Sequence, residues 1–481
     1  MEKINTSEDN KKSKSWLWQI LGPVLIGIVY FYYKSNKNLE YKRLKNVLNA
    51  LLLQEKSVNI STDLPVAIGF GSCLDLLVDG VSLMNAITQK PPKEKKYHEK
   101  IKNLDELSEM FALFFSQGAA VERFIPKDLL NKMVAKAELL QSARWAGGGN
   151  APVISHRFYR EGFQNILVGA RASHKLRSFY SPSIQFSEHI DEPEDIHLIL
   201  EYKVGDKWGD FVAPRANRFI VHSDQINPLI LSLEAFSNKL NQINPRLIIV
   251  SALQMLDNFP FEKGVREERM LKLAQMLNST SKSSLIHFEM ASFSEAEMIR
   301  SLLLNVLPYV DSLGMNEQEL PNLASMVNKG TIVTVSDANP KTAIILDDIR
   351  ELYQYSKTVS HRGLSRIHVH TLSFQAILIK KGSQWKNNKA GSAKASLVAH
   401  RHVCGVDEIN LSNAKIIMDD SFSLSLKTPS ERVYFNETSP ISCWNEDDYE
   451  LCLAPVLVCT DVKQTVGGGD NITPAGLIPQ M

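Results

Sequence analysis

The chain has 481 residues, enough for a large buried core and for more than one folding unit or a sizeable insertion. Its 54 lysine and arginine residues are balanced by 53 aspartate and glutamate residues, for a formal net charge of +1. This balance gives no electrostatic basis for nucleic-acid binding, so we expect no nucleic-acid partner and infer that any anionic ligand is held locally. The five cysteines lack zinc-like spacing, which argues against a structural metal.

The N-terminal region has the composition of a membrane-targeting segment. Residues 1–15 are polar and are predicted to form a disordered tail, and 16–33 form an uncharged apolar run with aromatic residues at both ends. A run of this length just spans a bilayer, and no small-residue cleavage site follows it. We therefore favour an uncleaved signal anchor over a removed signal peptide or a buried core helix. Residues 34–63 are predicted to form a connector and a first helix.

From residue 64 onward, apolar runs alternate with amphipathic segments, which predicts an α/β fold with a mostly parallel sheet covered on both faces. The predicted strands cover 66–70, 246–253, 283–290, 331–337, 367–378 and 454–459. A helix is predicted over 294–307, where apolar residues recur at helical spacing and Ser294 with Glu297 would form a capping box. The segment 196–223 differs, because its short apolar runs around a GDKWGD turn predict antiparallel hairpins of an inserted small sheet.

A glycine run near the end of the chain has the composition of an anion-binding loop. The sequence TVGGGDNITPAGL, at 465–477, follows the last predicted strand and leads into a helix start. Glycines let the backbone approach a phosphate, and the N-terminus of a helix favours negative charge. A carboxylate placed there, Asp470, is suited to take a proton from a hydroxyl nucleophile. An ordinary tight turn is the alternative interpretation.

Two acidic motifs, HFE at 287–289 and NEQE at 316–319, stand at the ends of predicted strands. Mg²⁺ prefers oxygen ligands and retains several waters, so carboxylates and amides that converge at strand ends suit a magnesium-dependent phosphoryl transfer. Glu289, Asn316 and Glu319 are the candidates. The alternative for Asn316 and Glu319 is a helix-capping pair.

Polar residues in the N-terminal third of the chain suggest a sugar-binding site. Asp75 follows the first predicted strand, at the edge where open α/β sheets bind ligands, and AGGGNA at 146–151 is a second glycine-rich turn. Asp75, Glu122 and Asn150 are together candidates for binding sugar hydroxyls, although each alone also suits a turn or a cap.

An ordered series of motifs over most of 64–478 resembles the ADP-dependent glucokinases of the ribokinase-like superfamily, in their animal, endoplasmic-reticulum-associated form. The series is VAIGFGSCLD, FFSQGAAVERF, GGNA, HLILEY, APRANRFI, LIIVSALQML, HFEMAS, SLGMNEQEL, SRIHVHTL and APVLVC before TVGGGD. The resemblance implies a ribokinase-like α/β fold, in which a kinase domain over 64–481 carries a smaller, discontinuous β-rich lid. The lid pieces are expected at roughly 72–95 and 180–223.

The resemblance also implies an activity, the glycolytic phosphorylation of D-glucose by ADP with Mg²⁺, which gives glucose 6-phosphate and AMP. The roles that it implies are Asp470 as catalytic base, Gly467, Gly468 and Gly469 as N–H donors to the transferred phosphoryl group, Arg218 as a phosphate contact, Asp75, Glu122, Gly149 and Asn150 as sugar-binding residues, and Glu289, Asn316 and Glu319 as residues serving Mg²⁺ and its waters.

The family's setting is the secretory pathway, which agrees with the predicted anchor over 16–33 and with sequons at Asn59, Asn278, Asn410 and Asn436. We therefore expect a monomer of the endoplasmic reticulum or secretory pathway, either anchored to the membrane through 16–33 or secreted. In that oxidising compartment the resemblance implies a disulfide that joins two of the five cysteines, Cys404 and Cys459.

Three features depart from the family pattern: Gly71, the end of the chain, and Asn471, which follows Asp470 where the family usually has a small apolar residue. Gly71 stands where the family has an asparagine, and the lost hydrogen bond is expected to weaken sugar binding by about 0.5 to 1.5 kcal/mol. The chain also ends shortly after its last helix begins, which is expected to loosen the site. These departures leave two alternatives open: a membrane-tethered pseudoenzyme that binds sugar or nucleotide, and an ADP-dependent phosphofructokinase. The retention of Asp470 and Arg218 favours the active glucokinase.

Overall fold

The predicted strands assemble into one large sheet in a computed structural model that describes residues 31, 34, 36–191, 194–333, 337, 339–429, 431–464 and 466–481. Strands and helices are numbered here in chain order. In spatial order, the ten strands of the larger sheet are β19 (Ser442–Glu446), β20 (Tyr449–Pro455), β15 (Phe374–Lys380), β14 (Arg366–His370), β13 (Ser312–Asn316), β12 (Leu285–Glu289), β11 (Leu247–Val250), β1 (Val66–Gly69), β5 (Ile166–Ala172) and β6 (Ile184–His189).

The seven strands from β14 to β6 run parallel, whereas β15, β20 and β19 extend the sheet as antiparallel strands. This arrangement confirms the predicted α/β class with a mostly parallel sheet. Because side chains alternate along a strand, Ile248 and Val250 of β11 enter the core on one face while Leu247 and Ile249 enter the core on the other.

Helices cover both faces of the larger sheet. The helices of the protein are α1 (36–55), α2 (Gly80–Ile87), α3 (Leu104–Gln117), α4 (Lys127–Ala137), α5 (Asn150–Arg160), α6 (His174–Arg177), α7 (Leu233–Ile243), α8 (Val265–Ser279), α9 (Ala296–Asn305), α10 (Glu319–Lys329), α11 (Thr342–Val359), α12 (Asn388–Cys404) and α13 (Gly468–Leu477). The larger core joins one face to α7–α11, and the second core joins the other face to α5 and α13. Leu44, Val47 and Leu51 of α1 pack with Ala393 and Leu397 of α12.

A second sheet of five strands has its own core, into which α2, α3 and α4 pack. Its strands, in spatial order, are β3 (Val121–Phe124), β10 (Asn217–His222), β7 (Ile196–Tyr202), β2 (Cys73–Asp79) and β4 (Arg144–Gly148). Strands β7 and β10 pair antiparallel, as predicted for 196–223. The remaining strands form two-stranded pairs: β8 (Lys207–Trp208) with β9 (Phe211–Val212), β16 (Ala414–Lys415) with β21 (Val458–Cys459), and β17 (Ser421–Ser423) with β18 (Arg432–Tyr434).

The smaller sheet differs in extent from the predicted lid pieces 72–95 and 180–223. Strands β3 and β4 come from the segment between those pieces, and β6, within the second piece, pairs with β5 in the larger sheet. The reason is topological, because β3 pairs in parallel with β10 and β4 pairs antiparallel with β2, so residues distant in sequence complete the sheet.

Three local predictions need correction. Residues 331–333 are not a strand, and 334–336 lie outside the described residues. The single strand predicted over 367–378 is two antiparallel strands, β14 and β15, because Thr371 turns the chain by hydrogen bonds between its hydroxyl and Phe374. Ser294 and Glu297 do not cap α9; instead the Asp257 carboxylate accepts hydrogen bonds from the Ser294 and Glu295 N–H groups.

The membrane anchor predicted over 16–33 lies outside the described residues except for Phe31, which is helical. Across the part of the chain that the structure describes, no helix combines the length and apolar character needed to cross a bilayer.

All five cysteines are described. The expected disulfide between Cys404, at the end of α12, and Cys459, in β21, is confirmed. A second disulfide, which sequence patterns do not indicate, joins the cross-strand neighbours Cys443 and Cys452 of β19 and β20. Cys73 is a buried free thiol in β2.

The last residues of the chain are well packed, contrary to the expectation that a short final helix would loosen the site. Leu477 and Ile478 enter the core on the α13 face of the larger sheet, and Gln480 is fully buried. Arg366 of β14 donates a hydrogen bond to Gln480 Oε1 at 2.6 Å. The end of the chain is therefore tied directly to the central sheet.

Candidate active site

The twelve residues predicted to bind substrate, phosphate or Mg²⁺ all line one cavity of about 1510 Å³. The cavity lies between the carboxyl ends of the parallel strands and the smaller sheet, and its volume exceeds that of a typical small-ligand pocket. A single space thus has room for two substrates side by side. The roles of the individual residues remain predictions.

The glycine run forms the entrance to α13. Gly467 adopts left-handed backbone angles, with φ of 70°, directly before the helix. The first helical hydrogen bond runs from the Asn471 N–H to the Gly467 carbonyl, so the N–H groups of Gly468, Gly469 and Asp470 precede the helical ladder. These groups, together with the helix dipole, make this end of α13 suited to an anion.

Asp470 lies in the first turn of α13 and is hydrogen-bonded to the start of α5. Its Oδ1 accepts a hydrogen bond of 2.9 Å from Asn150 Nδ2. The pKa of the Asp470 carboxyl is raised to about 7, mainly by desolvation and also by the negative charge of Glu289, while Asn150, Arg218 and His370 act in the opposite direction. A carboxyl that titrates near neutral pH is well matched to accepting a proton from a hydroxyl group.

Glu289, at the end of β12, is held as a carboxylate. Its Oε2 is 3.0 Å from His287 Nε2, and its Oε1 is 3.4 Å from His370 Nε2 and accepts a hydrogen bond of 2.9 Å from the Thr473 hydroxyl of α13. Desolvation alone would raise the pKa of Glu289, but the hydrogen bonds from His287 and His370 lower it to about 2. Glu289 therefore carries a full negative charge at the cavity wall.

Asn316 and Glu319 form the reciprocal capping pair that the sequence left as an alternative. Asn316 N–H and Nδ2 donate to the two Glu319 carboxylate oxygens at 2.8 and 2.9 Å, and Glu319 N–H donates to Asn316 Oδ1 at 2.9 Å. This pairing starts α10 and leaves both side chains at the cavity wall. Desolvation raises the pKa of Glu319 to about 7.

The predicted magnesium residues suit an ion held through water. Among the described residues, the groups of three His, Cys, Asp or Glu side chains close enough to share a metal ion are Cys73–Asp75–His197 and His197–His222–Asp224, neither of which includes Glu289 or Glu319. The oxygens of Glu289, Asn316 and Glu319 are already engaged with protein donors, but they face the same cavity as the glycine run. Such acceptors fit Mg²⁺, which retains several waters and binds nucleotide phosphates.

Asp75 and Glu122 meet around an imidazole that no sequence spacing indicates. His197 of β7 places Nδ1 3.3 Å from Glu122 Oε1 and Nε2 3.0 Å from Asp224 Oδ2. Desolvation alone would lower the pKa of His197, but Asp224 raises it well above its usual value. Desolvation raises the pKa of Asp75 to about 6, opposed by His197. The resulting cluster offers both donors and acceptors, as sugar hydroxyls require.

Gly149 and Arg218 complete the predicted set. Gly149 precedes α5, and a side chain there would approach the Gly71 carbonyl to 2.5 Å, so the chains pack backbone to backbone. Arg218 of β10 lines the cavity; desolvation lowers its pKa, opposed by Glu122 and Asp470. Its Nε is buried without a hydrogen-bond partner among the described residues. A buried guanidinium with unused donor capacity is suited to phosphate.

The far end of the cavity, beyond the glycine run, is apolar. Apolar side chains from α12, the strands around β21, and α13 line it, namely Ala399, Val403, Val456, Val458 and Ile472, and the polar residues His400, Lys415 and Gln464 also contribute to the wall. Apolar walls of this kind accommodate the base of a nucleotide.

Comparison with known proteins identifies the family. A sequence profile described as "ADP-specific Phosphofructokinase/Glucokinase conserved region" matches residues 64–479. The chain belongs to this family. It is 31% identical over 419 residues to an ADP-dependent glucokinase of Bos taurus, covering 86% of this chain and 83% of the relative. It is 30% identical to a probable ADP-dependent glucokinase of Caenorhabditis elegans, covering 85% and 84% of the two chains.

A solved structure shares the fold of this ADP-dependent sugar kinase. The structure described as an ADP-dependent kinase complex with fructose-6-phosphate and ADPβS matches with a TM-score of 0.61. The match covers 91% of this chain and 97% of the other at 17% sequence identity. The expected ribokinase-like α/β fold is therefore confirmed, as is the resemblance on which it was based.

Within the kinase family, Gly71 now has a structural explanation. It adopts a left-handed φ of 75°, and a Cβ atom added there would lie 2.3 Å from the Cβ of Ala252. Ala252 itself is left-handed, with φ of 59°, at the turn that follows β11. The Ala252 methyl group thus occupies the space of the side chain that is absent from position 71. Glycine at position 71 therefore does more than remove a hydrogen-bonding side chain, because the space next to Ala252 has no room for a larger residue.

We predict that Gly71→Ala lowers the free energy of unfolding by about 2 to 4 kcal/mol, because a left-handed alanine and an overpacked contact both cost stability. The matched control is Gly205→Ala, since Gly205 has φ of 83° but nothing within 4 Å of an added Cβ. That change should cost only about 1 to 2 kcal/mol. Denaturant titration of each purified variant measures both losses.

Adding Ala252→Gly to Gly71→Ala should recover most of the difference from the Gly205 control, because it removes the colliding methyl group. Equal losses at positions 71 and 205, or no recovery in the double variant, would contradict this explanation of Gly71.

Proposed function

We propose that this kinase transfers the β-phosphoryl group of ADP to the 6-hydroxyl of D-glucose, forming glucose 6-phosphate and AMP. The observation that carries the proposal is the position of Asp470, which lies at the start of α13 beside the glycine N–H groups, is hydrogen-bonded to Asn150, and lines the same cavity as the polar cluster around His197. A proton acceptor, an anion site and a hydroxyl-binding cluster therefore border one space. The glucokinase relatives support glucose as the acceptor.

Each group of cavity residues has a separate role in the proposed phosphoryl transfer. Asp470 accepts the proton of the 6-hydroxyl as its oxygen attacks the β-phosphorus, and the bond from that phosphorus to the bridging oxygen of AMP breaks. The N–H groups of Gly468 and Gly469 and the charge of Arg218 stabilise the equatorial oxygens during transfer. Glu289, Asn316 and Glu319 would hold Mg²⁺ through its waters. When bound, Mg²⁺ supplies positive charge that neutralises the phosphates.

The polar end of the cavity favours an uncharged sugar. Asp75 and Glu122 are carboxyl groups near the acceptor position, and the carboxylate of Asp224 lies directly behind His197. A second phosphate at this end, as on fructose 6-phosphate, would lie beside these carboxyl groups, with His197 and Arg218 as the nearby cations. The cluster of donors and acceptors around His197 and the glucokinase relatives favour glucose over the phosphofructokinase alternative. The position and raised pKa of Asp470 favour an active enzyme over a pseudoenzyme.

We predict that Asp470→Asn lowers kcat for glucose-dependent formation of AMP from ADP by about 10² to 10⁴, because the amide cannot accept the proton. The affinity for ADP should change little. The matched control is Asp461→Asn, because Asp461 is exposed, pairs with Lys463 and lies outside the cavity. Chromatographic quantification of AMP, with ATP tested in parallel, measures the effect. Comparable turnover by the Asp470 and Asp461 variants would refute the assignment of the base.

We further propose that the protein resides in the secretory pathway, in the endoplasmic reticulum. The support is chemical, since disulfides persist in oxidising compartments and the chain forms two, Cys404–Cys459 and Cys443–Cys452. Asn59, Asn278, Asn410 and Asn436 are all exposed, as glycosylation would require.

We predict that non-reducing peptide mapping of the protein from its own cells, with thiols blocked at lysis, recovers both linked peptide pairs and an alkylated Cys73. Cys73 should be recovered as an alkylated thiol because it is buried and has no partner thiol. Recovery of all five cysteines as alkylated thiols would contradict an oxidising location.

A further inference from the structure

Gln254 contacts Asn150, the hydrogen-bond partner of Asp470, but has no role in the scheme above. The residue follows β11 in a short 3-10 helix, Leu253–Leu256, which begins at the left-handed Ala252. Gln254 is half-buried and lines the cavity. Its Nε2 donates a hydrogen bond of 3.2 Å to Asn150 Oδ1, and Asn150 Nδ2 donates one of 2.9 Å to Asp470 Oδ1. The three side chains form one directed chain of hydrogen bonds.

The direction of this chain matters because an amide has two unlike ends. Asn150 can present either its NH₂ group or its oxygen to Asp470, and only the NH₂ group can donate to a carboxylate. When Gln254 donates to Asn150 Oδ1, that oxygen is engaged on the side away from Asp470. The Asn150 NH₂ group is then left to hold the carboxylate that faces the sugar.

Backbone contacts hold the segment that carries Gln254 in a fixed position relative to the start of α5. The N–H of Ala151 is hydrogen-bonded to the carbonyls of Phe70 and Gly71, and Gly71 packs against Ala252. The start of α5 and the start of the 3-10 helix are therefore fixed to each other through one loop. Gln254 Oε1 is nevertheless buried without a hydrogen-bond partner among the described residues. Such an oxygen costs stability, so packing alone does not explain a glutamine at this position.

We propose that Gln254 is a positioning residue that sets the orientation of the Asn150 amide and, through it, the position of the Asp470 carboxylate. This inference rests on the proposed function, in which Asp470 accepts the proton of the sugar hydroxyl. Gln254 thereby couples the end of β11 to the start of α13 through α5.

The test compares Gln254→Met, which removes the hydrogen bond at similar size, with Gln254→Glu, which has the same shape but accepts where Gln254 donates. A glutamate draws the Asn150 NH₂ group toward itself and turns the Asn150 oxygen toward Asp470. We expect kcat to fall about two- to tenfold in Gln254→Met, and by at least about tenfold in Gln254→Glu. The KM for ADP should stay within about twofold, since Gln254 is on the sugar side.

The same two changes in an Asn150→Ala background separate positioning from other effects. If Gln254 acts through Asn150, neither change lowers kcat by more than about twofold there. A direct electrostatic effect of the new charge on Asp470 would persist in that background. Gln242→Met and Gln242→Glu, at an exposed position of α7 outside the cavity, serve as controls and should match the unaltered enzyme.

A packing role would reverse the order, because the isosteric glutamate would be tolerated better than methionine. Better tolerance of glutamate than of methionine would overturn the inference, and so would an unchanged kcat in both variants. It would also be overturned if each Gln254 change lowered kcat by the same factor in the Asn150→Ala background as in the unaltered enzyme. If Gln254→Glu does not fold, as judged by thermal melting, Gln254→Met in the two backgrounds decides alone. Absence of glucose-dependent AMP formation in the unaltered enzyme would instead contradict the proposed function.

Discussion

The hydrogen bond from the Thr473 hydroxyl to Glu289 Oε1, at 2.9 Å, joins the last helix of the chain to the central sheet. Because Thr473 lies one turn after Asp470, this contact fixes the N-terminus of α13 over the carboxyl end of β12. The same carboxylate is kept ionised by hydrogen bonds from the imidazoles of His287 and His370. The charge held in this way contributes to the raised pKa of Asp470. Anchoring the helix and tuning the base therefore depend on one carboxylate.

Glu289 and Asp470 illustrate how one cavity assigns different states to two carboxyl groups. Both are desolvated, yet Glu289 accepts hydrogen bonds from three side chains, while Asn150 is the one side-chain donor recorded for Asp470 among the described residues. The pKa of Glu289 is about 2 and that of Asp470 is about 7. A permanent charge suits the role proposed for Glu289 towards Mg²⁺ and its waters, whereas a carboxyl that gains and loses a proton suits the role proposed for Asp470 as base.

Sequence patterns predict the frame of the site because the frame is local. Apolar periodicity locates the parallel strands, and glycines before a helix start locate the anion site. Sequence patterns do not reveal the features of the site that depend on contacts between residues distant in sequence. His197 meets Glu122 and Asp224 from separate strands or loops, and Asp257 caps a helix nearly forty residues later in the chain. The segment 331–337 shows the converse, since an apolar β-branched run does not form a strand over 331–333.

Gly71 shows why a single departure from a family pattern has no fixed meaning in the sequence alone. From the sequence alone, Gly71 means only that a hydrogen-bonding side chain is missing. In space it is paired with Ala252, whose methyl group fills the position that a side chain at 71 would take. Two residues far apart in sequence thus pack against each other beside Asn150, and only the folded chain shows this contact.

The pH dependence of kcat/KM for glucose tests the account most directly. Asp470 must be ionised to accept a proton, so with a pKa of about 7 the value should fall tenfold per unit below about pH 7 and level off above it. Removing the charge in Glu289→Gln should move this acidic limb to lower pH, whatever the remaining rate. A profile that stays flat from pH 5 to 8, or a limb that Glu289→Gln leaves in place, would contradict the account.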